Sequence, residues 1–142
     1  MKKVAKIFLT IAKILDILAI VGYAIGAIGC IVGAVSATAA LEKAEAGSEA
    51  ATNAAVAFTS MVSAAVTCAI CLVCCVLGLI FAIKASKRLA TAKSKAEAKG
   101  MAIAAIITGL ISTEFAFVAG ILMLCMSDKM YAESTPIEVK AE

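Results

Sequence analysis

Residues 55–83 read AVAFTSMVSAAVTCAICLVCCVLGLIFAI, a run of apolar and small residues without one charged side chain. Two similar runs lie on either side of it, at 17–40 and at 101–126. A helix needs about 20 apolar residues to cross the hydrocarbon core of a bilayer. The sequence therefore predicts an all-α integral membrane protein with three transmembrane helices.

The composition points to the same class of protein. Of the 142 residues, 63% are hydrophobic and 16% are charged, and the mean hydropathy is +1.07. A soluble chain this apolar could not cover its surface with polar groups. What remains outside the three runs is short, namely 1–16, 41–54, 84–100 and 127–142, so no separate soluble domain is expected.

The charges of these short segments predict the orientation. Ten of the thirteen basic residues flank the first run or separate the second and third: Lys2, Lys3, Lys6, Lys13, Lys84, Lys87, Arg88, Lys93, Lys95 and Lys99. Short basic segments stay on the cytoplasmic side of a membrane. We therefore expect a bacterial cytoplasmic membrane protein with its N-terminus inside, 41–54 outside, 84–100 inside, and 127–142 as a disordered tail outside.

The first sixteen residues predict an amphipathic segment. Met-Lys-Lys before an apolar run is also how secretory signals begin, but Lys13 and Asp16 interrupt the run here. At about 100° per residue, one face of a helix carries the apolar residues Val4, Ile7, Phe8, Ile11, Ile14 and Leu15, and the other carries Lys2, Lys6, Thr10 and Lys13. The pattern favours a short helical turn in the membrane interface, which leads into the first span.

Small residues form two stripes at helical spacing. Those of the first run are Gly22, Gly26, Gly29 and Gly33, and those of the third are Ala105, Gly109, Ser112, Ala116 and Gly120. Small residues let helix backbones approach closely in lipid. We expect both stripes to pack against helices, either of this chain or of a second copy; chance placement in an Ala-rich and Gly-rich chain is the alternative.

Glu114 is the one acid within the three runs, close to the middle of 101–126. An ionised carboxylate near the bilayer centre costs about 2.5–3.5 kcal/mol or more, so it must be protonated, partnered or hydrated. Glu114 is therefore a candidate proton or cation relay. The alternative is a neutral side chain that hydrogen-bonds to a neighbouring helix.

The cysteines predict packing and no metal site. Cys68, Cys71, Cys74 and Cys75 lie within two turns of one apolar helix, which cannot surround a single ion, and the chain has no histidine. Cysteine is also a small apolar packing residue. No metal and no cofactor is therefore expected.

The connection 84–100 is expected to be largely helical and to lie against a membrane surface. Its six basic residues, Lys84, Lys87, Arg88, Lys93, Lys95 and Lys99, would contact anionic lipid headgroups. Nucleic acid is not an expected partner, because the segment has one Arg and no aromatic side chain for stacking on bases.

A resemblance covers about residues 72–124. Residues 74–84, CCVLGLIFAIK, a basic connection, and residues 99–111, KGMAIAAIITGLI, resemble a family of small bacterial two-span membrane hairpins of unknown function. The paired cysteines and the small-residue second helix are also similar to the dispanin, or interferon-induced transmembrane, family. These resemblances imply a helical hairpin with a basic inner loop.

A third resemblance concerns the loop and the last run. Residues 96–100, AEAKG, followed by Glu114 and Gly120, are similar to the loop and second helix of rotary ATPase proteolipid subunits. That resemblance implies a proton-carrying role for Glu114.

No pairing of nucleophile and base is evident in the sequence, so an enzyme is not expected. The sequence favours a small membrane protein with a structural, accessory or protein-interaction role through helix packing. Its partners would be the lipid bilayer and a second copy or another membrane protein; a small-molecule substrate is unknown. The alternative is a pore, a holin-like protein or a proton-coupled or cation-coupled transport component that uses Glu114.

Overall fold

The computed structural model describes residues 1–132, and every regular element within them is helical. The helices are α1 (Lys2–Lys43), α2 (Glu49–Thr91), α3 (Lys95–Ile111), α4 (Glu114–Cys125) and α5 (Asp128–Ala132). The all-α class predicted from the sequence is confirmed for this part of the chain.

Two helices, α1 and α2, are long and apolar enough to cross a membrane. They have 42 and 43 residues, and their most apolar windows have mean hydropathies of 2.3 and 2.9. None of the α1 window is buried. These helices contain the predicted first and second spans, and no third helix of this kind occurs among residues 1–132.

Residues 19–73 form one compact unit, a hairpin of α1 and α2. Gly33 packs so closely on Met61 that a Cβ atom at Gly33 would lie 3.0 Å from the Met61 sulfur. The turn between the helices is short: Gly47 has φ +83°, a conformation that suits glycine, and Ser48 Oγ accepts a hydrogen bond from the Ala51 amide at 3.2 Å. The predicted outer loop 41–54 is therefore mostly helix.

The second unit contains residues 1–18 and the chain from Cys74 onward. Its core draws on α1, α2, α3, α4 and α5 and consists mainly of alanine. On α1, the buried face is Ala5, Leu9, Ala12 and Asp16, and no break separates this segment from the rest of the helix. Alanine lets these helices approach closely, as small residues do in membrane bundles.

The predicted third span, 101–126, is not one helix. The chain leaves α3 at Ser112, takes an extended conformation at Thr113 (φ −139°, ψ 132°) and starts α4 at Glu114. A Cβ at Gly109 would lie 2.7 Å from Phe117 Cα, and one at Gly120 would lie 2.7 Å from the Ala102 carbonyl oxygen. Helices α3 and α4 therefore run antiparallel in close contact, and the three-span prediction is not confirmed.

The reversal places the start of α3 and the end of α4 at the same end of this unit. The Lys95 amide donates a hydrogen bond to Asp128 Oδ1 at 2.6 Å, and Lys2 Nζ donates one to the Tyr131 carbonyl oxygen at 3.4 Å. Within the predicted tail 127–142, residues 128–132 form α5 instead of a disordered segment. The remainder of that tail, 133–142, lies outside the described residues.

Candidate functional site

Glu114 does not occupy the interior of a long helix. It is exposed and stands in the first turn of α4. A carboxylate is favoured there, because the first amides of a helix carry partial positive charge. The structure thus places Glu114 at a helix start, and its predicted position in the middle of a continuous third span is not confirmed.

The buried acid of the structure is Asp16 on α1. Its side chain has 0% relative exposure, and among the described residues no donor reaches either carboxylate oxygen. Placing a charge in a dry interior without partners costs several kcal/mol. Buried carboxyl groups of this kind concentrate at functional sites, so Asp16 is the centre of the candidate site.

Gly78 on α2 and Ser112 at the end of α3 meet beside this carboxyl group. A Cβ at Gly78 would lie 3.3 Å from Asp16 Oδ2 and 2.7 Å from Ser112 Cβ, and it would overlap Ser112 Oγ. Asp16 Oδ2 and the Ser112 side chain are therefore both close to one point on the Gly78 backbone. Any larger residue at position 78 would displace one of them.

The break between α3 and α4 supplies further oxygen atoms. The Ser112 amide and the Ser112 hydroxyl both donate to the Thr108 carbonyl, at 2.8 and 2.9 Å, so Ser112 Oγ keeps its lone pairs for a ligand. Thr113 Oγ1 is buried and has no hydrogen-bond partner among residues 1–132. The last carbonyl groups of any helix lack partners from that helix and carry partial negative charge.

The candidate site thus combines the Asp16 carboxylate with the Ser112 hydroxyl group at the C-terminal end of α3. Such a set attracts a proton or a hard cation and offers nothing to a soft metal. Within residues 1–132, His, Cys, Asp and Glu form no group of three or more that could hold a metal ion.

The small residues of the two predicted stripes have different surroundings. On α1, Gly26 and Gly33 face Cys68 and Met61 of α2, whereas nothing in the described part of the chain lies within 4 Å of a Cβ built at Gly22 or Gly29. The small residues of the third run do not form one stripe on one helix, because the break divides them. Four of them are buried, Ala105 and Gly109 on α3 and Ala116 and Gly120 on α4, while Ser112 ends α3.

The basic side chains line a groove at the end of the second unit. Lys84, Lys87 and Arg88 of α2 border it together with Glu97 and Gly100 of α3, and its volume is about 580 Å³. Arg88 Nε donates to the Glu97 carbonyl oxygen at 3.1 Å, which ties the two helices together. The other three predicted lipid contacts, Lys93, Lys95 and Lys99, are also exposed at this end.

The six cysteines are free thiols, and two of them lie on facing helices. The Cys68 sulfur on α2 packs against α1 at Gly26, 3.5 Å from a Cβ built there, and Cys30 lies one turn further along α1 within the first unit. This proximity could not be predicted from the crowded cysteines of α2, because Cys30 lies 38 residues earlier in the sequence.

The comparisons with known proteins return no relative. No family model, no curated protein and no solved structure matches this chain. The three family resemblances drawn from the sequence stay predictions.

Asp16 does not stand out in the sequence as a site residue, because it lies just before an apolar run and interrupts it. Two signals point to it and to the break. Asp16 follows Ala5, Leu9 and Ala12 at helical spacing, so it continues a face of small and apolar residues. Ser112-Thr113-Glu114 also has the composition of a helix start, with a hydroxyl residue before an acid.

Proposed function

We propose that this chain is an integral membrane protein with a structural or accessory role, which acts through helix packing against lipid and against other membrane helices. The observation that carries the proposal is the apolar surface of the first unit. Ile25, Val35 and Val56 are 66%, 65% and 64% exposed, and the most apolar window of α1 contains no buried residue. Contiguous apolar surface of this extent is costly in water and is the normal outer surface of a helix in lipid.

In this proposal α1 and α2 cross the membrane, and α3 and α4 enter it from one side and return. Their outer faces are apolar, with Leu110 71% exposed and Ile107 and Ile111 also exposed. An apolar helix of 12 residues such as α4 is too short to span, and a segment of about 10–14 residues is typical of re-entrant structures. Membrane-inserted turns are tolerated where protein covers their polar groups. The break at Ser112 is partly covered, by Gly78 of α2 and Asp16 of α1.

The basic end faces the cytoplasm in this proposal, because short basic segments are retained on that side. The cytoplasmic side then contains residues 2–6, 84–99 and 127–132. This differs from the sequence-based expectation, in which the tail that starts at residue 127 lies outside. The groove beside Lys84, Lys87 and Arg88 would contact anionic headgroups, each basic residue contributing about 1 kcal/mol. The proposal includes no catalytic role.

We propose that α1 packs against a second membrane helix through those glycines of its small-residue stripe that α2 does not contact. Gly22 and Gly29 lie two turns apart on α1, and no atom of residues 1–132 comes within 4 Å of a Cβ built at either position. The occupant we propose is a second copy of this chain, since small residues drive helix association in lipid.

The test is in-membrane crosslinking of the full chain. Gly22→Leu with Gly29→Leu should reduce the crosslinked dimer severalfold relative to the native sequence. The matched control is Ile28→Leu with Val35→Leu, two exposed positions with the same separation on another face of α1. An unchanged dimer in the glycine variant would overturn self-association, and release of the chain by alkaline carbonate without detergent would overturn membrane integration itself.

A further inference from the structure

We propose that Asp16, Ser112 and the break between α3 and α4 form a binding site for a monovalent cation, either a proton or an alkali ion. This inference concerns a site that the proposed packing role does not use, and it stands independently of self-association.

The first step is the charge of Asp16. Both of its oxygens are enclosed, and no donor among the described residues reaches them. A carboxylate in such surroundings pairs, coordinates a cation or takes up a proton. One unit of positive charge makes the site neutral, whereas a divalent ion would leave a buried excess charge with one acid to balance it.

The neighbouring charged and titratable groups do not provide this compensation. On α1 the nearest cation is Lys13, three residues before Asp16 and half-buried. On α2 the nearest titratable group before Gly78 is the Cys75 thiol, and the nearest charge after it is Lys84. On α3 no charge lies between Lys99 and Ser112, and on α4 Glu114 is exposed.

The second step is the set of ligands around Asp16. Ser112 Oγ and Asp16 Oδ2 both lie beside Gly78, and the Ser112 proton is already donated to the Thr108 carbonyl. Its lone pairs are therefore free for a cation or for the hydrogen of a protonated carboxyl group. The C-terminal carbonyls of α3 add partial negative charge, and alkali ions or protons bind at such broken helices in membrane transporters.

The third step is the role of Gly78. The backbone of α2 approaches Ser112 and Asp16 only because residue 78 has no side chain, as the overlap of a Cβ with Ser112 shows. Three helices thus meet at one carboxyl group, so occupancy of the site is linked to the docking of the α3–α4 turn against α1 and α2.

Infrared spectroscopy of the full chain in phosphatidylcholine vesicles tests the proposal directly. The chain has two aspartates, Asp16 and Asp128. In an Asp128→Asn variant, aspartate labelled with ¹³C at the side-chain carbonyl therefore gives an infrared signal from Asp16 alone. The site itself keeps its native residues. Spectra are recorded from about pH 4 to pH 9, a range that covers the ordinary titration of a carboxyl group, in choline chloride and then in NaCl or LiCl at constant ionic strength.

If the occupant is a proton, the carbonyl band of protonated, labelled Asp16 persists in choline chloride at neutral pH. Adding sodium then leaves this band unchanged. If the occupant is an alkali ion, sodium or lithium removes this band in a saturable manner. Ser112→Ala should then raise the sodium concentration needed by about tenfold, in the range typical for loss of a supporting ligand. Glu114→Gln is the matched control and should change neither result.

A labelled Asp16 that is ionised throughout the range in choline chloride, with no response to sodium or lithium, would overturn the proposal. Thermal unfolding followed by circular dichroism gives a second measurement. The native chain should show an unfolding temperature that depends on pH or on sodium, and Asp16→Asn should remove that dependence while Glu114→Gln retains it. If the unfolding temperature of Asp16→Asn still depended on pH or on sodium as in the native chain, the proposed site would also be contradicted.

Discussion

The Lys95 backbone amide donates a hydrogen bond to the Asp128 carboxylate across 2.6 Å, joining the first residue of α3 to the first residue of α5. The two residues lie 33 positions apart, on either side of the run that the sequence predicts to be a third span. A single spanning helix would separate its two flanks by the thickness of the bilayer. This contact therefore requires that the chain reverse its direction within residues 101–126.

The first prediction concerns topology. In a chain with its six cysteines replaced by alanine, new cysteines at Ser94 and Ser127 should react with a membrane-impermeant maleimide from the same side. A cysteine at Ser48, in the turn between α1 and α2, should react from the opposite side. Labelling of positions 94 and 127 from opposite sides would restore the three-span arrangement.

The second prediction compares two glycines of α3. Gly109→Ala should destabilise the fold by about 1–3 kcal/mol or more, because the added Cβ meets the Phe117 backbone, which cannot swing away. Gly100→Ala should be neutral or stabilising by up to about 1 kcal/mol, since no described residue lies within 4 Å of a Cβ built there and alanine favours a helix. Thermal unfolding by circular dichroism in micelles measures both, and equal effects would contradict the α3–α4 contact.

The third prediction uses the Cys30–Cys68 pair. Mild oxidation with copper phenanthroline should join the two thiols, with loss of two protons and two electrons to the oxidant, because Cys68 packs against α1 one turn from Cys30. Denaturing alkylation with a polyethylene glycol maleimide should then count four free thiols instead of six.

Oxidation should protect two thiols from alkylation. Cys30→Ser should abolish this protection, and Cys125→Ser should leave it in place. Protection of two thiols that survives Cys30→Ser would show that another pair reacts and that α1 and α2 pack differently.

The fourth prediction concerns Tyr131. Its hydroxyl donates to the Met123 carbonyl at 2.7 Å, and burial together with the nearby Asp128 carboxylate raises the pKa of the phenol above its ordinary 10.0. The folded chain therefore holds this proton more tightly than the unfolded chain, so stability falls as the pH rises above about 10. Absorbance titration of a Tyr23→Phe variant should report a midpoint above 10, and Asp128→Asn should lower it.

Tyr131→Phe should remove that alkaline fall in stability. At neutral pH it should cost about 0.5–1.5 kcal/mol, since the Met123 carbonyl loses its donor. A Tyr131 midpoint at or below 10 would show that the phenol is not buried at the end of α4.

The sequence by itself predicts a helical chain with three spans. The helical class is confirmed for residues 1–132, and two of the predicted spans lie in helices long and apolar enough to cross a membrane. Run length and hydropathy suffice for this, because every backbone polar group in lipid must be satisfied within its own helix. The run 55–83 lies within one continuous helix, as its lack of charge and turn residues predicts.

Only the tertiary structure decided the course of the third run and the identity of the buried acid. A break at Ser112 is compatible with an apolar composition, and it becomes stable because Gly109 and Gly120 allow α3 and α4 to touch. Asp16 is buried because α2 and the end of α3 cover it, although its neighbours in sequence suggest an interface position. Hydropathy records how apolar a segment is along the chain, whereas the surroundings of one carboxyl group depend on residues 60 to 100 positions away.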